Sequence, residues 1–179
     1  KGFDMRRFWT VSLLSAYVAK DIAQANQMDG QRAYTAALIH GLGVLAIHYA
    51  TPKIAQEINA HCLDVTPYER ADMEWLALGY HHGEVGAELA RIWELPQEIS
   101  ESIRFYPHPL SGHKSLAGLL HISVAIAVDI LGDIPPETWN QNIDDAVEEL
   151  LNSTLQNIGE LKPKFDRARQ FVELLVTMH

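Results

Sequence analysis

Ser115-Leu116-Ala117-Gly118-Leu119-Leu120-His121-Ile122-Ser123-Val124-Ala125-Ile126-Ala127-Val128-Asp129-Ile130-Leu131 is the longest apolar stretch in the chain, and its reading decides the fold. Wound as a helix it is apolar on nearly every side, so neighbours must cover it all round. Only His121, Ser123 and Asp129 interrupt it, and it falls short of the about 20 residues that cross a bilayer comfortably. It reads as a buried central helix. Elsewhere apolar residues recur at helical spacing, with no convincing strand or hairpin.

Working outward towards the N-terminus, Pro107-His108-Pro109 ends a short helix that Pro96 opens and that runs to about Phe105. A helix from His82 to Trp93 stops before Leu95-Pro96. Before it, Thr66-Pro67-Tyr68-Glu69 carries a capping box, with Pro at the first helical position. That helix holds Trp75 and Leu78 and breaks at Gly79. Earlier still, helices are expected over Asp4 to Ala25, Arg32 to His40 and Pro52 to about Ala60. The second is expected to stop near Gly41 and Gly43 on a left-handed glycine. Beyond the central helix, Ile134-Pro135-Pro136 is a rigid connector, followed by amphipathic helices over Asp144 to Leu155 and Pro163 to Met178. The expectation is an all-α, compact multi-helix bundle of eight or nine elements, forming one domain over residues 1–179.

The 179 residues suffice to bury one continuous core, and 47% hydrophobic against 21% charged is ordinary for a globular chain. With 14 Lys+Arg against 23 Asp+Glu, the formal charge of −9 repels phosphate backbones and argues against nucleic-acid binding. No membrane role is expected. The single cysteine, Cys62, leaves no internal disulfide framework and no Cys-pair zinc motif, and points to a cytoplasmic setting.

Nine histidines invite a metal reading. Taken singly, most are expected to be surface or hydrogen-bonded residues. Four stand out by their setting. His40 closes the apolar run Ala36-Ala37-Leu38-Ile39. His81 and His82 are adjacent at a helix junction, and neighbours on a helix diverge by about 100°, so they cannot both face one ion without a bend. His121 lies inside the central helix and must be hydrogen-bonded if buried. A hydrolytic dinuclear centre needs carboxylates as well as imidazoles. No Asp follows His40, Asp129 lies at the far end of its helix, and no carboxylate can be assigned to these imidazoles.

These residues, in this order, resemble the HDOD branch of the HD phosphohydrolase superfamily. The resemblance rests on Phe8-Trp9-Thr10-Val11-Ser12, on Ala33 through Gly43, on Leu78-Gly79-Tyr80-His81-His82-Gly83-Glu84-Val85-Gly86-Ala87-Glu88-Leu89-Ala90 with Trp93-Glu94-Leu95-Pro96, and on Ile103 through Pro109. It continues through Leu119-Leu120-His121 and covers roughly residues 8–131. The family domain opens with further helices before the Phe-Trp motif. Here that segment is not seen, and the face it covers is expected to be met by a partner or a second copy.

The departures from the pattern matter as much. Val11 stands where the family's first histidine belongs, and Gly41 where the Asp of the His-Asp pair belongs. Tyr106-Pro107 replaces a His-His pair, with His108 displaced by one, and Val124 replaces the late Asp. Of the superfamily's ligand set only His40 survives; His82 matches an accessory histidine. The resemblance therefore implies a regulatory, non-catalytic module of a bacterial signalling protein. Its old cleft (His40, His82, His121, His108 and Tyr106) would bind a small nucleotide or a partner. Other signalling domains, or a second copy, are the expected partners, and no metal or other cofactor is expected. The alternative is a metal-dependent phosphohydrolase acting on a nucleotide or cyclic dinucleotide, with a divalent ion on His40, His82 and His121.

The remaining motifs read structurally. Trp9, Trp75 and Trp93 are expected in the core, and Trp139 is the candidate for an exposed contact. Gly79, Gly83 and Gly86 would let helices approach closely. Asp144-Asp145 with Glu148-Glu149 reads as a solvated helix face.

Overall fold

The computed structural model describes residues 3–61, 67–109, 115–142 and 147–177, without the side chains of 67, 68 and 140–142. The cap expected at Thr66, together with Cys62, His113, Asp144, Asp145 and His179, lies outside the described residues. Those residues form ten α-helices, a 3₁₀ segment and no strand. The helices are α1 (Met5–Ala25), α2 (Gly30–Ile39), α3 (Leu42–Ala50), α4 (Pro52–His61) and α5 (Pro67–Leu78). They continue as α6 (His82–Ile92), α7 (Gln97–Phe105), α8 (Leu116–Leu131), α9 (Glu148–Gln156) and α10 (Ile158–Thr177), with the 3₁₀ segment at Pro136–Asn142.

The local signals account for most boundaries. Asp4 accepts the Arg7 N–H and caps α1, Asp29 does the same for Gln31 and Arg32 at α2, and Ser115 accepts from Gly118 at α8. α8 is the centre, with twelve of its sixteen residues buried. Leu14, Val18 and Ile22 of α1 lie against the same core, which α10 completes with Leu161 and Phe165. On its other side α7 packs on α8, and α6 packs between α7 and α3.

Several expectations need correction. Helix α3 occupies a stretch read as a turn. Gly41 has φ −80° and Gly43 lies within α3, so neither stops a helix in the left-handed region. The run Gly30–Ala50 is nearly continuous, and by length and composition alone it is apolar enough to cross a membrane. Here it bends at His40-Gly41, α2 packing on α1 and α3 on α6. What Gly43 provides is proximity: a Cβ there would fall 1.9 Å from the His82 carbonyl oxygen. The left-handed stop is Gly79, at φ +78°, after α5, and the space beside it is open, so it brings no helices together. Gly83 and Gly86 do, against α7: Cβ atoms there would meet the Arg104 carbonyl at 2.8 Å and Ile103 Cγ2 at 2.9 Å.

The tryptophans are the reverse of what the sequence suggests. Trp139 is 2% exposed, its Nε1–H donates to the Ile134 carbonyl, and its ring meets Phe165. Trp9, Trp75 and Trp93 are each at least 40% exposed. The 3₁₀ turn after Pro136 swings residue 139 inward, whereas Trp93 ends α6 on its outer side. The last helix begins at Ile158 and contains Pro163, which therefore does not open it. Glu148 and Glu149 are exposed at the start of α9, as a solvated face requires.

Candidate functional site

The α6 N-terminus is where the sequence-derived candidates converge. The first amides of a helix lack intrahelical acceptors and carry partial positive charge. Here three side chains answer them. His81 accepts the Gly83 N–H at 3.1 Å through Nδ1, and Glu84 reaches back to the His81 N–H at 3.3 Å, a capping box. The third is Glu74 of α5, fully buried, whose Oε2 accepts the His82 N–H at 2.7 Å.

Glu74 also fixes the His82 ring. Its Oε2 lies 2.6 Å from His82 Nδ1, and a carboxylate can only accept, so Nδ1 carries the proton. The opposite nitrogen, Nε2, lies 2.7 Å from the Tyr106 hydroxyl. Burial and the Glu74 charge push the phenol pKa upward, so the hydroxyl stays protonated and donates to Nε2. The other Glu74 oxygen accepts from Arg70 Nε at 2.8 Å, and Arg70 also donates to Asn59 Oδ1 of α4 at 2.9 Å. Burial alone would raise the Glu74 pKa, but the hydrogen bonds from His82 and the Arg70 charge outweigh it and hold the carboxyl low. The result is a buried chain running Arg70, Glu74, His82, Tyr106.

His40 and His121 flank the chain's inner end. His40, at the C-terminal end of α2, donates from Nδ1 to the Ala37 carbonyl at 2.6 Å and sets its ring edge-on to Tyr106, with centroids 5.4 Å apart. Burial lowers its pKa to about 4, so it is neutral at physiological pH. His121 of α8 donates from Nδ1 to the Tyr106 carbonyl at 2.7 Å. Four of the five candidates therefore meet at Tyr106, with His40 and His82 at its ring and His121 at its backbone carbonyl. The fifth, His108, lies towards the surface, 3.1 Å from the exposed Asp72 and with its ring centroid 6.4 Å from that of the capping His81.

Sequence reading assigned these imidazoles no carboxylate; Glu74 is that missing acid. A signal for it was present, because Ala71, Glu74 and Leu78 share one stripe of α5, which places an acid on the inward face.

The donor set does not suit a hydrolytic metal centre. Both His82 nitrogens and both Glu74 oxygens are engaged, and the Tyr106 ring occupies the space between His40 and His82 (centroids 5.4 and 5.5 Å). At Gly41, where the superfamily's Asp would stand, even a Cβ would fall 2.8 Å from Phe8 Cε2. Val124 is 4% exposed, packed where an acid would be needed. Among the described residues no three His, Cys, Asp or Glu side chains are arranged to hold an ion.

Comparison with known proteins agrees with this architecture. The family model of the HDOD domain matches residues 1–109. An uncharacterized protein of Treponema pallidum (strain Nichols) is 27% identical over 121 residues, 63% of this chain and 23% of its own length. A crystal structure of a "Putative phosphohydrolase" from Shewanella amazonensis SB2B superposes with a TM-score of 0.67 at 26% identity, covering 94% of this chain and 65% of that one. The chain thus spans about a quarter of the first relative and just under two thirds of the second.

Proposed function

The chain belongs to the HDOD domain family, and from that premise we propose that it is a regulatory, non-catalytic module of a bacterial signalling protein that acts by binding a ligand or a protein partner. One observation carries the non-catalytic part. Tyr106 places a protonated phenol, hydrogen-bonded to His82 and packed on His40, in the space where imidazoles would have to converge on an ion. Phosphoester hydrolysis at a dinuclear centre needs bound divalent ions to polarise the phosphoryl group and generate hydroxide. In this cleft His82 is instead held between Glu74 and Tyr106, and His40 and His121 each donate to a backbone carbonyl. A module of this kind would work in the cytoplasm beside other signalling domains, or as a self-associated pair, with a small nucleotide among its candidate ligands. It would use neither a cofactor nor nucleic acid.

The competing reading, a metal-dependent phosphohydrolase of nucleotides or cyclic dinucleotides, draws its support from the name of the Shewanella amazonensis protein. It would place the ion on His40, His82 and His121, and so requires Tyr106 to leave. Elemental analysis of the purified protein, with a generic phosphodiesterase assay supplemented with Mn²⁺, separates the two. The expected result is neither stoichiometric transition metal nor turnover. Stoichiometric metal, or turnover that disappears in His40→Ala, would overturn the proposal.

A further inference from the structure

Helix α5 is attached by an unusual kind of side chain. Packing helices are ordinarily held by a stripe of apolar residues. Among the described side chains of α5 only Ala71 and Glu74 are buried, while Trp75 and Leu76 are 52% and 86% exposed. Helix α4, which precedes it, buries only Ala55 and Ile58. The buried polar tie from α5 to the body of the molecule is the Glu74 carboxylate, which accepts the His82 N–H and the His82 ring N–H of α6, while nearer the surface Asp72 meets His108 and Trp75 lies beside His81. Within the pair, Arg70 joins α5 to α4 by bonding both Glu74 and Asn59.

Both ends of this two-helix segment are suited to pivot. Thr51, between α3 and α4, has left the helical region, with φ −131° and ψ 62°. Gly79, between α5 and α6, holds a left-handed φ with no atom within 4 Å of where a Cβ would stand. Directly beneath Glu74 lie His82, Tyr106 and His40, which are polar and otherwise closed from solvent.

We infer that α4 and α5, tied to each other through Arg70 and Asn59, form a hinged cover, latched by Glu74 onto the first turn of α6, that opens about Thr51 and Gly79 while the helices around α8 stay folded, baring His82 beneath it. The inference rests on the latch geometry and holds whether the module is regulatory or hydrolytic. Sub-global opening selects segments with little buried apolar surface, which describes α4–α5 and excludes α1 and α8. The carboxylate is well suited to releasing as a unit. It faces two donors from α6 on one oxygen and Arg70 on the other, so an amide in its place must turn its NH₂ towards one of those donors.

Hydrogen exchange followed by mass spectrometry on the full chain tests this, with denaturant added in small increments. In the wild-type protein, amides of α4 and α5 should exchange through an opening with a shallower denaturant dependence than those of α1 and α8. Glu74→Gln should speed α4–α5 exchange by ~10-fold or more and leave α1 and α8 unchanged. His82 should react faster with diethylpyrocarbonate in the same variant. Equal denaturant dependence of α5 and α8 in the wild type would overturn the inference, as would a uniform acceleration, or none, in Glu74→Gln. If that variant does not fold, the wild-type comparison decides alone.

Discussion

At the scale of single residues, the buried polar chain is tuned by burial and by its own charges, and the consequences can be measured. Tyr106→Phe keeps the ring packed on His40 but removes the hydroxyl that donates to His82 Nε2. A buried acceptor left without its partner costs about 1–3 kcal/mol, so urea unfolding should show a loss in that range with the fold retained. His40 makes a second prediction. It is neutral in the folded protein, with a pKa near 4, and takes its proton at the ordinary 6.5 once unfolded. Between those values the unfolded chain binds more protons, so stability is present above about 6.5 and falls as pH drops towards 4. The depression corresponds to roughly 3 kcal/mol across that window. Thermal melts from pH 7.5 to 4.5 should show the decline, and His40→Gln should flatten much of it. A remainder will persist because burial also lowers the His81 pKa. Glu74 acts lower down, since its depressed pKa is lost as stability only when pH falls below the usual carboxylate range. Which histidines would gather was largely legible in the sequence; their acid was less so. Of Glu69, Asp72 and Glu74 only the third shares a stripe with Ala71 and Leu78, and only the way α5 lies over α6 makes it a buried latch.

At the scale of elements, caps and prolines located most helices, whereas α3 escaped notice because its glycines mimic a stop. Gly43 serves contact, and the difference is testable. Gly43→Ala would drive a methyl to 1.9 Å from the His82 carbonyl, against backbone that cannot rotate away. Helices α3 and α6 would have to separate, which should cost at least about 3 kcal/mol, measured as loss of folded protein by circular dichroism in urea. The same substitution at Gly79 meets no atom but must hold φ at +78°, so its smaller cost would come from backbone strain alone. The tryptophans invert the expectation for a related reason. Composition says a large ring prefers burial, but the direction a helix end points decides which ring obtains it. Trp139 sits in a 3₁₀ turn, against Phe165 and with its N–H satisfied, while Trp75 and Trp93 face outward. Trp139→Ala should therefore destabilise by about 3–5 kcal/mol. Trp75→Ala and Trp93→Ala should change the urea midpoint little, because exposed substitutions usually fall within about 0.5 kcal/mol.

At the scale of the whole molecule, the stretch that matches the family carries only part of the core. The match covers 1–109, which supplies α1 to α7 and nearly all the buried polar chain. The centre of the fold is α8, which lies wholly beyond it. Leu119, Leu120, Ile122 and Ile126 are fully buried there, against Leu14, Val18 and Ile22 of α1, and Phe165 of α10 closes the far side. The sequence announced this arrangement through a helix apolar on nearly every side, which has no stable place except among neighbours. His121 ties that helix to the polar chain through the Tyr106 carbonyl, so the site and the core share one wall. Without α8, the inner faces of α1, α2 and α7 would meet water. At about 25 cal/mol per Å² of apolar surface, such exposure exceeds the few kcal/mol by which domains are ordinarily stable. A fragment ending at Pro109 should therefore lack cooperative thermal unfolding and bind the dye ANS, although it contains every residue of the family match. Residues 1–177 should melt in a single cooperative transition followed by far-UV circular dichroism. A folded, cooperatively melting 1–109 fragment would show that α8 is an accessory to this domain and not its centre.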